Sequence, residues 1–409
     1  MATIPQRIIA DLNWYGHIPM YHRMFVKAFA EIGYRVISLS PAPEEMQQWI
    51  EESNLAPTCQ ANPTPIGSSQ PPGRRLRSFL DQVPGGAAMW NYVRSSQILR
   101  RERARRRWSL LSNLLARLKT TSSSESVVFF PYLDDLSHPN PQSLGLPWAG
   151  LYLNSDLMRK SPGFTRRAEI SFFRKAAPKY IATLDELLAD QLPEWPVDIP
   201  LISFPDVTDT APPYLTPTVE AALQRARGRP IVALLGHLTP RKGVSRLIEL
   251  SQHPAAQNLF FLFAGEAEAM RLSRPNLEFL HQASVGAIPN AHALLGRIQE
   301  ESVFNGLVSG ADVIYACYED FSGSSNLLTK AAYFQRPSLV RAFGCMAARI
   351  RRLNSGLVFA AGTPKEELDM LLTLASEKKE SRASAYAAYQ SEHSYARLLS
   401  IIQRAEGLN

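Results

Sequence analysis

Cysteine is scarce in this chain of 409 residues: Cys59, Cys317 and Cys345 are an odd number at spacings that match neither a disulfide framework nor a zinc site, and they read as reduced structural thiols. Long apolar runs are missing too, since none reaches the roughly 18 to 20 residues that a membrane-crossing helix needs. The opening residues, MATIPQRIIADL, lack a basic stretch followed by a signal-type apolar core, so the expected location is the cytoplasm. No Asp-x-Asp pair is present to hold a divalent metal against a phosphate. An excess of positive charge is also missing from most of the chain. Between Arg74 and Lys119 twelve Lys or Arg face two acids, Asp81 and Glu102, so the net charge of +7 would become about −3 without that segment.

What is present is a globular composition, 45% hydrophobic and 20% charged, at a length that suits two domains. Arg7–Leu12 reads as a strand, followed by a glycine loop with Gly16 and His17, a helix with Met24, Phe25, Ala28, Phe29 and Ile32, and a second strand at Val36–Leu39. Residues 56 to 73 hold five prolines and read as an irregular surface loop. The segment RRERARRR then runs into WSLLSNLLARL, whose Leu111, Leu114, Leu115 and Leu118 recur at helical spacing. That pattern suits an interfacial helix on an anionic membrane, with residues 94–119 as the contact, and equally a helix that packs its leucines inward and leaves its arginines in water. Nucleic acid is the weaker reading, because no aromatic interleaving accompanies the arginines.

Strands at Val127–Phe130 and Gly150–Leu153 deliver Asp134, Asp135 and His138, then Asn154, to their carboxyl ends. These residues are candidates for holding an acceptor hydroxyl or moving its proton, and an Asp pair after a strand is also common turn chemistry. TLDELLADQL reads as a helix, Leu201–Phe204 as a strand, and PDVTDTAPPYLTPT as a linker. Further strands are expected at Ile231–Leu235, Leu259–Ala264, Leu277–Leu280, Val313–Ala316, Ser338–Val340 and Leu357–Phe359, with helices between them and a helical end from Ser384 to Ala405. Strands alternating with helices predict an α/β protein with doubly wound parallel sheets.

Residues 230 to 340 hold the densest chemistry. GHLTPRKG follows a strand and supplies Gly236, His237, Arg241 and Lys242; LFFLFAGE supplies Gly265 and Glu266; and FSGSSNLLTK brings Ser324, Ser325, Asn326 and Lys330 to a helix start that Ser324 or Ser325 is placed to cap. Glycines allow close backbone approach, and cations beside helix starts favour an anion, with phosphate the natural ligand.

This half resembles the donor-binding domain of the GT-B glycosyltransferases, specifically the large retaining group that uses nucleotide-sugars. GHLTPRKG matches the glycine-led loop ending in R-K-G, and FSGSSNLLTKAAYFQRPSLV matches the later segment that carries two glutamates before a helix and strand. His237 stands where the family usually has Arg, and Lys330 falls where its second, ribose-holding glutamate belongs. The resemblance implies two Rossmann-like domains facing a central cleft: an acceptor-side domain at 1–208 with the basic insertion at 74–119, a linker at 209–217, a donor domain at 218–383, and a helix at 384–409 crossing back. It implies transfer of a sugar from a nucleotide-sugar co-substrate to a glycan or lipid-linked acceptor, with retention and with neither metal nor cofactor. Lys242, Arg241, His17 and Asp134 would be catalytic, with Gly16 also at the donor and Asp135, His138 and Asn154 on the acceptor side. A nucleotide-sugar epimerase of the same fold, or a binding protein without donor chemistry, are the alternatives.

Overall fold

The computed structural model describes residues 4–14, 18–66, 97–119, 126–136, 141, 143–154, 163–192, 195–196 and 198–408. Gly16, His17, His138 and the 74–96 part of the basic segment lie outside the described residues. The chain divides into two compact units, Met1–Phe204 with Leu398–Asn409, and Pro205–Arg397.

Unit 1 runs β1 (Gln6–Ala10), α1 (Ile18–Glu31), β2 (Arg35–Leu39), α2 (Pro43–Glu52), β3 (Cys59–Ala61), α3 (Gln97–Lys119), β4 (Val127–Phe130), β5 (Trp148–Tyr152), α4 (Gly163–Ala176), β6 (Ile181–Thr183) and β7 (Leu201–Ser203). Its strands form one parallel sheet in the order β3-β2-β1-β4-β5-β6-β7. β1, β2, β4 and β5 are buried along nearly their whole length because both faces are covered, as parallel sheets require. β3 lies inside the stretch whose prolines suggest an irregular loop. With three residues at a sheet edge it is too short to leave an alternating pattern. TLDELLADQL forms turns and a short 3-10 helix at Ala189–Gln191, not the expected α-helix. Asp185 and Thr183 take backbone N–H groups there and hold the turn.

The leucine face of α3 turns inward. Trp108, Leu111 and Leu115 are buried among Phe130, Trp148 and Phe172, with Leu114 and Leu118 packed beside them. Arg105 and Arg106 stay in water and share Glu102. The apolar stripe therefore belongs to the core, and only the arginine face is open to a partner.

Unit 2 runs α5 (Pro217–Gln224), β8 (Ile231–Leu235), α6 (Val244–Gln252), β9 (Phe260–Gly265), α7 (Arg274–Ser284), β10 (Ala291–Leu295), α8 (Glu301–Gly310), β11 (Val313–Ala316), α9 (Asn326–Tyr333), β12 (Ser338–Arg341), α10 (Gly344–Leu353), β13 (Gly356–Phe359), α11 (Pro364–Ser376) and α12 (Ala383–Glu392). The strand order is β10-β9-β8-β11-β12-β13, all parallel. The strand expected at Leu277–Leu280 is corrected: those residues lie within α7, whose start is capped by Ser273 and pre-set by Pro275. The edge strand is AHALL at Ala291–Leu295, whose two alanines and histidine give a weak strand signal.

The helical end is two elements, α12 and α13 (Tyr395–Glu406), and α13 belongs to unit 1 from Leu398 onward. Its Glu406 carboxylate is buried, 2.5 Å from Arg7 of β1, and accepts a hydrogen bond from the Tyr180 hydroxyl at 3.0 Å. Removing one partner of a buried pair strands the other charge. Glu406→Ala is expected to lower the stability of unit 1 by about 3 kcal/mol, read as a lower urea midpoint for the transition of that unit.

Candidate active site

In a parallel sheet all carboxyl ends share one edge, and the connections on that edge diverge where the strand order reverses. In unit 2 that switch point falls between β8 and β11, so Gly236–Gly243 and Cys317–Ser325 are neighbours. Two close backbone approaches weld these loops to the sheet. Gly265 has φ +140, and a Cβ there would lie 1.9 Å from the Gly236 carbonyl oxygen. Gly243 has φ +79, and a Cβ there would lie 2.8 Å from the Cys317 oxygen. Only glycine fits either place. The Gly236 and Leu238 amides bond to Ala264 and Glu266 carbonyls, and the Glu319 amide bonds to the Arg241 carbonyl. Glu266 thus contributes its backbone, while its side chain and that of His237 are exposed.

Lys242 Nζ donates to the Leu235 carbonyl at 3.0 Å and lies over the Tyr318 ring at 5.5 Å. Arg241 lies over the Phe321 ring at 4.5 Å. Arg341, which the sequence pattern does not single out, ends β12 on the same edge and lies over Phe359. Among the described residues none of these three cations has a carboxylate partner. The amides of Gly323 to Leu327 likewise have no acceptor among the described residues, and they surround the start of α9. Unspent positive charge and a row of open N–H groups at a switch point suit a polyanionic ligand.

Three expectations change. Neither Ser324 nor Ser325 caps α9. Ser324 Oγ donates to the buried Asp206 carboxylate and accepts from Arg349 at 2.6 Å, and Ser325 Oγ pairs with the Tyr318 hydroxyl at 3.1 Å. The Asn326 side chain is also spent, donating to Val207 O at 2.9 Å and accepting from Thr208 at 2.8 Å. Lys330 is buried and saturates its three donors on Asp209 O, Asn305 Oδ1 and Glu301 Oε2 at 3.1, 2.7 and 2.8 Å. It braces the start of unit 2 and adds no charge for a phosphate.

Unit 1 has its own switch point between β1 and β4. Asp134, expected to move a proton, is buried and accepts the Leu153 and Asn154 amides at 2.9 and 3.1 Å, clamping the loop after β4 to the loop after β5. Asp135 is more open: its Oδ2 takes Arg107 at 2.9 Å and Asn13 at 3.0 Å. Arg107 also donates to Asn13 Oδ1 at 2.9 Å. Asn13 and Arg107 carry no motif and become visible only when α3 and the loop after β1 meet. Beneath them His22 bridges Asp11 and Ser38 at 2.8 Å each. Complete burial pushes the His22 pKa down to about 3 and Asp11 well up, so this relay braces the loop from inside the core.

No protein-family model and no curated protein sequence matches the chain. Solved structures do. HepE of Anabaena, in complex with UDP, superposes with a TM-score of 0.65 at 12% identity, covering 99% of this chain and 100% of that one. Sucrose-phosphate synthase of Thermosynechococcus elongatus gives 0.64 at 14% identity, covering 99% of each chain. A UDP-forming α,α-trehalose-phosphate synthase of Burkholderia xenovorans gives 0.64 at 11% identity, covering 98% of each. The chain has the GT-B fold. Both Rossmann-like sheets of that fold are present, and the likeness runs through the whole chain.

Within unit 2 of this GT-B fold, the network around Ser324 carries a pH signature. The Asp206 amide donates to His393 Nδ1 at 3.0 Å, so the buried imidazole must be neutral, and burial lowers its pKa to about 2. A folded pKa below the unfolded value of about 6.5 gives stability that is complete above pH 6.5 and lost as the pH falls. Unfolding free energy is expected to drop by up to about 1.4 kcal/mol per pH unit below 6.5 from this group alone. Urea melts between pH 7 and 4 check this, and His393→Gln should flatten the dependence.

Proposed function

We propose that this protein is a glycosyltransferase that moves a sugar from a nucleotide-sugar, with UDP the first nucleotide to test, to an acceptor hydroxyl. The observation that carries this reading is the carboxyl edge of unit 2, where Lys242, Arg241 and the Gly323–Leu327 amides stand without acidic partners among the described residues, in a fold shared with a UDP complex. A diphosphate bound there would meet two side-chain cations and a helix N-terminus, which stabilise charge on the leaving phosphate as the glycosidic bond breaks. In the retaining course we propose, that leaving phosphate oxygen takes the acceptor proton, so no strong protein nucleophile is needed. Because Lys242 and Arg241 supply the charge, turnover is expected without metal and should survive EDTA.

On the acceptor side, Asp135, oriented by Arg107 and Asn13, is the group placed to hold a hydroxyl of a glycan or lipid-linked acceptor. The exposed arginines of α3 are the surface we assign to an anionic membrane face in the cytoplasm, by charge alone. No helix among the described residues is long and apolar enough to cross a membrane. Binding to phosphatidylserine vesicles in a flotation assay should be lost in high salt and in Arg105→Glu/Arg106→Glu.

The primary test is calorimetric and thermal. UDP at about a hundred times its Kd should stabilise the protein by about 2.7 kcal/mol. Lys242→Ala should weaken UDP about tenfold, the value of one charge-assisted contact, with the melting temperature of the ligand-free protein unchanged. Failure of UDP, GDP, ADP and CMP alike to shift the melting temperature would remove the donor site.

A further inference from the structure

The start of α9 is unusual in what it withholds. Ser, Asn and Asp at a helix start ordinarily turn their side chains onto the orphan amides and satisfy them. Here Ser324, Ser325 and Asn326 occupy three consecutive positions there, and none does so. Each is tied elsewhere. The buried Asp206 and Arg349 hold Ser324 from two sides, Asn326 is fixed to Asp206, Val207 and Thr208, and Ser325, at the cap position itself, is held by the Tyr318 hydroxyl at 3.1 Å. The tether on Ser325 is the weakest, a single neutral hydrogen bond. Tyr318 is itself buried, with its ring under Lys242 and beside Phe321 at a centroid distance of 5.6 Å.

We propose that Tyr318 is a positioning residue that keeps Ser325 from capping α9, so that the Gly323–Leu327 amides stay open for the diphosphate of the nucleotide donor. This rests on the donor-site reading given above and specifies how that site is kept uncapped. The physical logic is competition: a side-chain oxygen that caps the helix satisfies the amides internally, and an incoming phosphate must then displace it. The Tyr318 ring and its hydroxyl have separate roles. The ring supports Lys242, and only the hydroxyl holds Ser325.

Tyr318→Phe separates them, because the ring stays and the hydroxyl goes. In calorimetric titration of UDP into the full-length protein, Tyr318→Phe should weaken binding about tenfold. The melting temperature of the ligand-free variant should rise, since Ser325 is released to cap α9. Adding Ser325→Ala should then restore UDP affinity to within about threefold of wild type, because the competing cap is gone. A hydroxyl with a merely structural role would lower the melting temperature and would show no recovery. Unchanged UDP affinity in Tyr318→Phe, or a loss that Ser325→Ala does not repair, overturns the proposal. If wild type gives no heat with UDP, the donor-site reading fails; a fall in the ligand-free melting temperature of Tyr318→Phe would separately overturn the withheld cap.

Discussion

Unit 2 depends on one contact between backbones. Gly265 sits so close to Gly236 that an added Cβ would lie 1.9 Å from a carbonyl oxygen. That approach lets the end of β8 bend over the end of β9, and it sets where Lys242 can reach. The ammonium donates to the Leu235 carbonyl at 3.0 Å. Gly243 repeats the device against Cys317, so the loops after β8, β9 and β11 share one edge at near-atomic closeness. A side chain at either glycine would push the loops apart and separate the cations from the amide row.

Charge in this molecule divides into groups that are spent and groups that are not. Arg7, Arg349 and Lys330 are buried and paired, each fixing a segment that is remote in sequence: Arg7 the last helix, Arg349 the Ser324 loop, Lys330 the stretch at Asp209. Burying a charge costs several kcal/mol unless it is paired, which is why each of these cations meets a buried or part-buried acceptor. Lys242, Arg241 and Arg341 have no such carboxylate partners among the described residues, and they lie together on one sheet edge. The same division separates Asp134 from Asp135: one carboxylate is consumed by two amides, the other keeps part of its capacity.

Much of this was legible in the residues. Buried parallel strands leave continuous apolar runs, so IVALL, FFLFAG and VIYA announce themselves. The loop residues that follow them could be named without coordinates, because the carboxyl end of such a strand is where ligands are met. Edges were less legible. Ala291–Leu295 and Cys59–Ala61 have one neighbour each and no need for strong strand formers, whereas the apolar spacing of α7 imitated a strand over four residues.

By itself the sequence determined the alternation of strand and helix, the doubly wound class, and the glycines and cations of the loops after β8, β9 and β11, because these follow from local periodicity and from which backbone shapes each residue allows. Only the tertiary structure decided which polar groups remain available. Lys330 and Lys242 look alike in sequence, as do Asp134 and Asp135, and they differ in which carbonyl, amide or carboxylate packing has brought within hydrogen-bond reach. Availability is set by which groups packing brings together, as with Lys330 and the Asp209 carbonyl 121 positions away, and local pattern carries no record of that.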